Sequence, residues 1–93
     1  MKSKNKIKIF KVKYPIEEIT WFDAQSSMDN FFIEEIISEL KPIQSKTIGY
    51  LLHETSEYIV IGFLLFSNEM IKHHQVIPKG MILKRTVLRK KEI

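Results

Sequence analysis

Cysteine is absent from this sequence, and its 93 residues include only three glycines and three prolines. Without cysteine, neither a disulfide nor a thiolate metal site can form, and a reducing cytoplasm is the expected compartment. Gly49, Gly62 and Gly80 stand too far apart to form a glycine-rich phosphate loop. The longest apolar run, Tyr58–Phe66, has nine residues, whereas a membrane helix needs about 20. The composition therefore predicts one soluble domain that does not bind membranes.

Acidic and basic residues occupy separate parts of the chain. Residues 1–13 carry six lysines and no acid, residues 14–78 carry three lysines and ten acids, and residues 79–93 carry six cations and one acid. Such basic ends suit phosphate backbones or an anionic surface, but they equally keep a hydrophobic, oligomerising protein in solution. The basic start lacks the apolar core of a signal peptide.

No arrangement of side chains points to catalysis, a metal or a cofactor. No spacing of serine, histidine and acid resembles a nucleophile elbow or a triad segment. His73 and His74 are adjacent on a predicted strand and would point to opposite faces, so the two cannot chelate one ion together, and His53 would have to join from another strand. The glutamate pairs at 17–18 and 34–35 fit a solvated face better than an acid/base pair. We therefore predict a non-enzymatic protein.

The first half of the chain predicts an arm, a strand and a helix. Residues 1–15 form a basic arm or strand, because lysine partly alternates with apolar residues until proline interrupts the pattern. Ile16–Phe22 is β-rich, with Ile19 and Trp21 on one face. Apolar residues at helical spacing predict a helix over residues 28–41, which we expect to pack on an open face or end of the sheet.

The second half predicts a meander of short strands over residues 47–88. Three β-rich segments joined by polar turns follow one another: Thr47–Leu52, Tyr58–Phe66 and Met70–Ile77. A fourth strand starts at Met81. Gly49 and Gly62 fall inside strands and predict sharp coiling or bulges. Tyr58–Phe66 is apolar on both faces, so one face needs the helix or another subunit to cover it, which favours a homo-oligomer.

The meander resembles the Sm/LSm family over about residues 16–88. Gly49-Tyr50-Leu51 before a polar turn is similar to the Gly-x-Leu of that family, and Ile77-Pro78-Lys79-Gly80-Met81-Ile82 is similar to its apolar-Arg/Lys-Gly turn. Four segments also look like those of small cyanophage-type Sm-like proteins, which come from phage and marine metagenomes: residues 19–24, 47–52, 57–61 and 77–82.

The resemblance implies a mainly β fold, a five-stranded, strongly bent antiparallel barrel with one inserted short helix. Edge strands would join copies into a homo-oligomeric ring of five to seven subunits, with five favoured, in the cytoplasm of a bacterial host if the chain is phage-encoded. Such a ring would bind single-stranded RNA, or DNA, near its pore without catalysis and would act in RNA or DNA processing.

The candidate contacts lie at the two turns that the resemblance places near the pore. Lys79 matches the motif cation, and rings at the first turn could stack on bases while cations neutralise phosphate. The candidate nucleic-acid-binding residues are Lys79, His53, Tyr58, Lys84 and Arg85. The family's base-binding Asp and Asn are not in register here, and the predicted helix follows the first strand instead of preceding it. Two alternatives stay open: a phage protein-protein interaction module, and a ring that captures a small anionic ligand.

Overall fold

The computed structural model describes residues 6–23, 32–34 and 43–93. They form five strands and one short 3-10 turn: β1 (Ile16–Asp23), β2 (Ile43–Glu54), β3 (Tyr58–Leu65), β4 (Ile71–Pro78), the turn Lys79–Met81, and β5 (Ile82–Arg89). The predicted mainly β class is confirmed. The helix predicted over residues 28–41 lies outside the described residues, apart from 32–34.

Strand limits follow the sequence pattern closely except in β2. β1, β3 and β4 end within one residue of the predicted limits, and β5 starts at Ile82 instead of Met81. β2 starts at Ile43 instead of Thr47, because its first residues pair with the end of β1 at Asp23, Phe22 and their neighbours. Pairing with an existing strand therefore extends β2 beyond what local β-propensity predicts.

The strands form one antiparallel sheet in the order β4-β3-β2-β1-β5. β2 changes partner along its length: residues 43–50 pair with β1, and residues 50–54 pair with β3. A register shift between Leu51 and His53 marks the predicted bulge in this strand. β4 and β5 each have a single neighbour, so the described strands form a strongly bent open sheet and do not close into the barrel that we expected. The physical reason is that β5 leaves the short turn toward β1, where Ile82 pairs with Trp21, and not back along β4.

Both strand glycines stand where the bent sheet leaves no room for a side chain. A Cβ at Gly49 would lie 2.5 Å from Ile61 Cγ2 and 2.7 Å from the carbonyl oxygen of Gly62. A Cβ at Gly62 would lie 2.6 Å from Leu52 Cδ1. The close approach of β2 to β3 at the bend therefore depends on these two positions.

The core lies inside the bend, where non-neighbouring strands meet. It consists of five buried side chains: Ile19, Trp21, Ile59, Ile61 and Ile77. The first two come from β1 and the other three from β3 and β4. Because β1 is not a neighbour of β3 or β4 in the sheet, the sheet must bend so that the side chains on its inner face pack against one another. The predicted face of Ile19 and Trp21 is thus the buried one. Inside the fold, the Trp21 indole N–H donates to the Thr47 hydroxyl at 3.0 Å, which donates to Gln75 Oε1 at 3.2 Å.

Candidate nucleic-acid interface

The two turns that carry the predicted contacts lie side by side. β3 starts at Tyr58 where β4 ends at Pro78, and these two residues are partners in the antiparallel ladder. The turn before β3 and the turn after β4 therefore meet at one end of the sheet. The backbone N–H of Lys79 donates to the carbonyl of Glu57 at 2.8 Å, which joins the two turns directly.

Thr55 fixes the shape of the first turn. Its hydroxyl oxygen accepts hydrogen bonds from the backbone N–H groups of Glu57 and Tyr58, both at 3.1 Å. Its own backbone N–H donates to the Tyr58 carbonyl at 2.9 Å. A threonine hydroxyl that caps backbone donors in this way favours a tight turn. The turn thereby sets the position from which the Tyr58 side chain projects.

His53 and Tyr58 face one another across this turn. Their ring centroids are 6.3 Å apart and the ring planes are tilted by 56°. His53 is exposed and Tyr58 is half-buried. Centroid separations of about 4.5–7 Å with a tilt are typical of interacting aromatic rings. The pair therefore presents one exposed ring and one half-buried ring at the joined turns.

A network of four charged side chains begins at the joined turns. Lys79 Nζ is 2.7 Å from Glu54 Oε2. Arg85 donates from both terminal nitrogens to Glu54, at 2.9 and 3.0 Å. Arg85 also donates from Nε and one terminal nitrogen to Glu17, at 2.8 and 3.0 Å. The guanidinium thus bridges two carboxylates, and the two positive and two negative charges balance.

Glu17 is the buried member of the network. Its side chain is 5% exposed, whereas that of Arg85 is 28% exposed. Glu17 lies two and four residues before Ile19 and Trp21, so period-two alternation turns it to the inner face of β1. A buried carboxylate is costly unless it is paired. The expectation of a solvated face is therefore wrong for Glu17, and Arg85 is held by a structural ion pair.

These contacts shift the protonation of two groups. Hydrogen bonds from Arg85 and then from Lys79 lower the pKa of Glu54 to about 2. Hydrogen bonds to Glu17 and then to Glu54 raise the pKa of Arg85 above its usual value. Both shifts favour the charged forms. Glu54 and Arg85 therefore stay ionised at neutral pH.

The structure brings together four of the five predicted contact residues. His53, Tyr58, Lys79 and Arg85 lie at or beside the joined turns. Lys84 is exposed on β5 opposite Thr20, and as the neighbour of Arg85 it points to the other face of the strand. The counterion Glu54 was not predicted as a functional residue. The sequence signal for this role is the position of Glu54 beside the first turn, together with Lys79 in the second turn.

The histidines at 73 and 74 show one unusual backbone feature. His73 has a φ of 60°, in the left-handed region that few residues other than glycine adopt. Within the part of the chain that the structure describes, no group of three histidine or acidic side chains is placed to hold a metal ion.

The two basic ends of the chain meet just beyond the end of the β1–β5 ladder, where Ile16 pairs with Arg89. The backbone N–H of Glu92 donates to the Val12 carbonyl at 2.9 Å, and the N–H of Val12 donates to Glu92 Oε1 at 3.2 Å. Arg89 contacts the same carboxylate oxygen at 3.1 Å. This contact places four exposed lysines in two adjacent segments: Lys11, Lys13, Lys90 and Lys91.

An apolar groove of about 380 Å³ lies between the arm and the β3–β4 turn. Phe10 and Val12 line it from the arm, Phe66 and Met70 from the turn, and Ile93 from the end of the chain. Its rim carries Lys11, Lys13 and Glu69, so the groove has a mixed polar border.

Comparison with known proteins gives no match, since no family model, curated protein or solved structure is significantly similar to this chain. The Sm/LSm resemblance therefore stays a prediction. Among the described residues, no helix is long and apolar enough to cross a membrane.

Proposed function

We propose that this chain is a non-enzymatic, Sm-like subunit that binds single-stranded RNA or DNA as part of a homo-oligomeric ring. The observation that carries the proposal is the His53–Tyr58 ring pair at the end of the sheet where the turn before β3 meets the turn that holds Lys79. Stacking on aromatic rings and neutralising phosphate with lysine are the two means by which single strands are bound without strong sequence preference.

The two unpaired edges of the described sheet support the proposed ring assembly. β4 and β5 are both eight residues long, and each has one free edge in the described sheet. Exposed large apolar side chains occur along both: Ile71, Val76, Leu83, Val87 and Leu88. Pairing β5 of one copy with β4 of the next is heterologous, and such contacts close into rings when the rotation allows. It also removes the aggregation risk of open edges.

The mass of the assembly tests this part of the proposal. Light scattering is expected to give a mass of five to seven copies, with five favoured. Val76→Lys places a charge on the β4 edge and should yield monomers. Ile48→Lys is the matched control, because both side chains are 51% exposed and Ile48 lies on the central strand β2. A wild-type monomer at micromolar concentration would contradict the ring.

The structure changes the expected source of phosphate contacts. Lys79 and Arg85 already have carboxylate partners, so they offer little net charge to a ligand. Lys84 and the lysines of the two converged ends are exposed. We therefore assign base stacking to the joined turns and most phosphate neutralisation to Lys84, the arm and the C-terminal segment.

Titration of labelled poly-U, poly-A and duplex at two salt concentrations tests the binding function. Single strands are expected to bind more tightly than duplex, with affinity that falls as salt rises. Tyr58→Leu should weaken single-strand binding by about fivefold or more, because one stacked base contributes about 1–3 kcal/mol. Tyr50→Leu, which changes a half-buried tyrosine on the central strand β2, outside the joined turns and the arm, is the control. No binding of wild type at low salt would refute the proposal.

The apolar groove favours a second candidate, a protein-interaction module. Exposed apolar patches bordered by polar residues mark protein-interaction sites, and this groove of about 380 Å³ is mainly apolar, with Lys11, Lys13 and Glu69 also in its lining. The same titration separates the two functions. Absence of nucleic-acid binding in an otherwise folded ring favours the protein-interaction function, and competition by mononucleotides would instead indicate capture of a small anionic ligand.

A further inference from the structure

Glu54 occupies the position between two cations that an anion would otherwise fill. One of its oxygens lies 2.7 Å from Lys79 Nζ and 2.9 Å from a terminal nitrogen of Arg85. The other oxygen lies 3.0 Å from the second terminal nitrogen of Arg85. Proteins also bind phosphate in this way, because two of its oxygens can accept hydrogen bonds from a guanidinium while an ammonium neutralises its charge.

The two carboxylates of the network differ in how easily they can leave. The Glu17 side chain is 5% exposed and meets two nitrogens of Arg85 from inside the fold. The Glu54 side chain is 37% exposed and stands at the last residue of β2, next to the turn. If Glu54 swings away, Arg85 keeps its buried partner Glu17, so the fold retains its internal ion pair. Of the two carboxylates, the more exposed Glu54 is therefore the one that an external anion can replace.

We propose that Glu54 is an internal ligand of an anion site formed by Lys79 and Arg85, and that it competes there with a phosphate of the bound nucleic acid. This inference rests on the proposed function for the identity of the ligand, but the anion site itself does not. When a nucleic-acid strand binds at the joined turns, Glu54 must release Lys79 and Arg85 and turn toward solvent. A phosphate of the nucleic acid then binds these two cations in its place.

The competition has two consequences for binding. In the wild type, a phosphate that enters the site replaces one anion by another, so the site adds little to the salt dependence of binding. Removing the charge of Glu54 leaves Lys79 unpaired, and the salt slope should then steepen by about one. Glu54 thus weakens backbone binding at this site and leaves the neighbouring rings to dominate recognition.

Glu54→Gln tests the proposal directly, since it removes the charge and keeps the shape of the side chain. We expect the variant to bind a labelled single-stranded nucleic acid about tenfold more tightly, because the phosphate no longer has to displace the ion pairs of Glu54. One to two half-exposed ion pairs contribute a free energy of about that size. Glu18→Gln is the matched control, because Glu18 is another glutamate paired with an exposed lysine, Lys46, at 3.4 Å. It should change the affinity by no more than about twofold. Equal effects of the two variants would show a general charge effect and would overturn the proposal.

A measurement on the wild type covers the case in which Glu54→Gln fails to fold. The carboxylate ¹³C signal of Glu54 should move when the single strand saturates the protein, because Glu54 loses its two partners. If a single-stranded nucleic acid binds and this signal does not move, the internal-ligand inference is refuted, whereas the proposed function still stands.

Inorganic phosphate separates the anion site from the proposed function. In Glu54→Gln, the side-chain nitrogen signals of Lys79 and Arg85 should respond to inorganic phosphate at concentrations that leave the wild type unchanged. If they respond while neither protein binds a single strand, the anion site holds and the nucleic-acid function fails. If they do not respond in the folded variant, the anion site is refuted.

Discussion

Replacing Arg85 by methionine should strongly destabilise the fold, because it leaves a buried carboxylate without a partner. The Glu17 side chain is 5% exposed, and within the described residues its hydrogen bonds come only from Arg85, at 2.8 and 3.0 Å. Breaking a buried ion pair by removing one partner costs about 3–5 kcal/mol. In a domain of this size each kcal/mol lowers Tm by about 4–8 °C, so we expect Arg85→Met to lower Tm by about 12–40 °C.

Thermal unfolding followed by circular dichroism measures this loss, at one fixed protein concentration because assembly also stabilises the chain. Two variants separate the buried pair from the exposed one. Glu54→Gln removes only the outer partner of Arg85 and should cost about 1 kcal/mol or less. The double variant Glu17→Met, Arg85→Met removes both buried charges and should recover most of the stability. If Arg85→Met costs no more than Glu54→Gln, the assignment of Arg85 as the counterion of a buried charge is wrong.

Three further expectations concern backbone packing, acid stability and the basic ends. Gly49→Ala should cost about 1–3 kcal/mol of unfolding free energy in chemical denaturation, because the added Cβ meets a backbone carbonyl; Gly80→Ala, where nothing lies within 4 Å, is the neutral control. The pKa of Glu54 is lowered from 4.5 to about 2, so its contribution to stability is present above pH 4.5 and is lost as pH falls toward 2. In Glu54→Gln, the free energy of unfolding should therefore fall less steeply between pH 4.5 and pH 2 than in the wild type. Changing Lys90 and Lys91 together to alanine should flatten the salt dependence of single-strand binding by about two if both contact phosphate, and an unchanged slope would exclude them as contacts.

The sequence pattern predicted those features that depend on local period and turn chemistry. The alternation around Ile19 and Trp21 identified the buried face of β1, and Gly49 and Gly62 indicated the bend of β2. The turn with Lys79 was placed correctly because glycine, proline and polar residues mark turns without reference to the rest of the fold.

Features that depend on which strands become neighbours were not predictable in the same way. Glu17 belongs to an adjacent glutamate pair that fits a solvated surface, and only the pairing of β5 with β1 brings Arg85 onto it. Glu54 became a counterion because β3 and β4 pair and so bring their turns together. The contact between Val12 and Glu92 likewise follows from tertiary pairing, since charge composition says nothing about where two basic segments lie in space.

The pairing of the last strand with the first also governs how the chain can fold. Glu17 and Arg85 are 68 positions apart in the sequence, and Val12 and Glu92 are 80 apart. Contacts between such distant residues carry a high loop-closure entropy and give a high contact order, which slows folding. The β2–β3 and β3–β4 hairpins join near neighbours and can form early, whereas β5 must wait for β1. Glu54 and Glu17 share Arg85, which belongs to β5, so the turns gain their final electrostatic environment only once β5 has paired with β1.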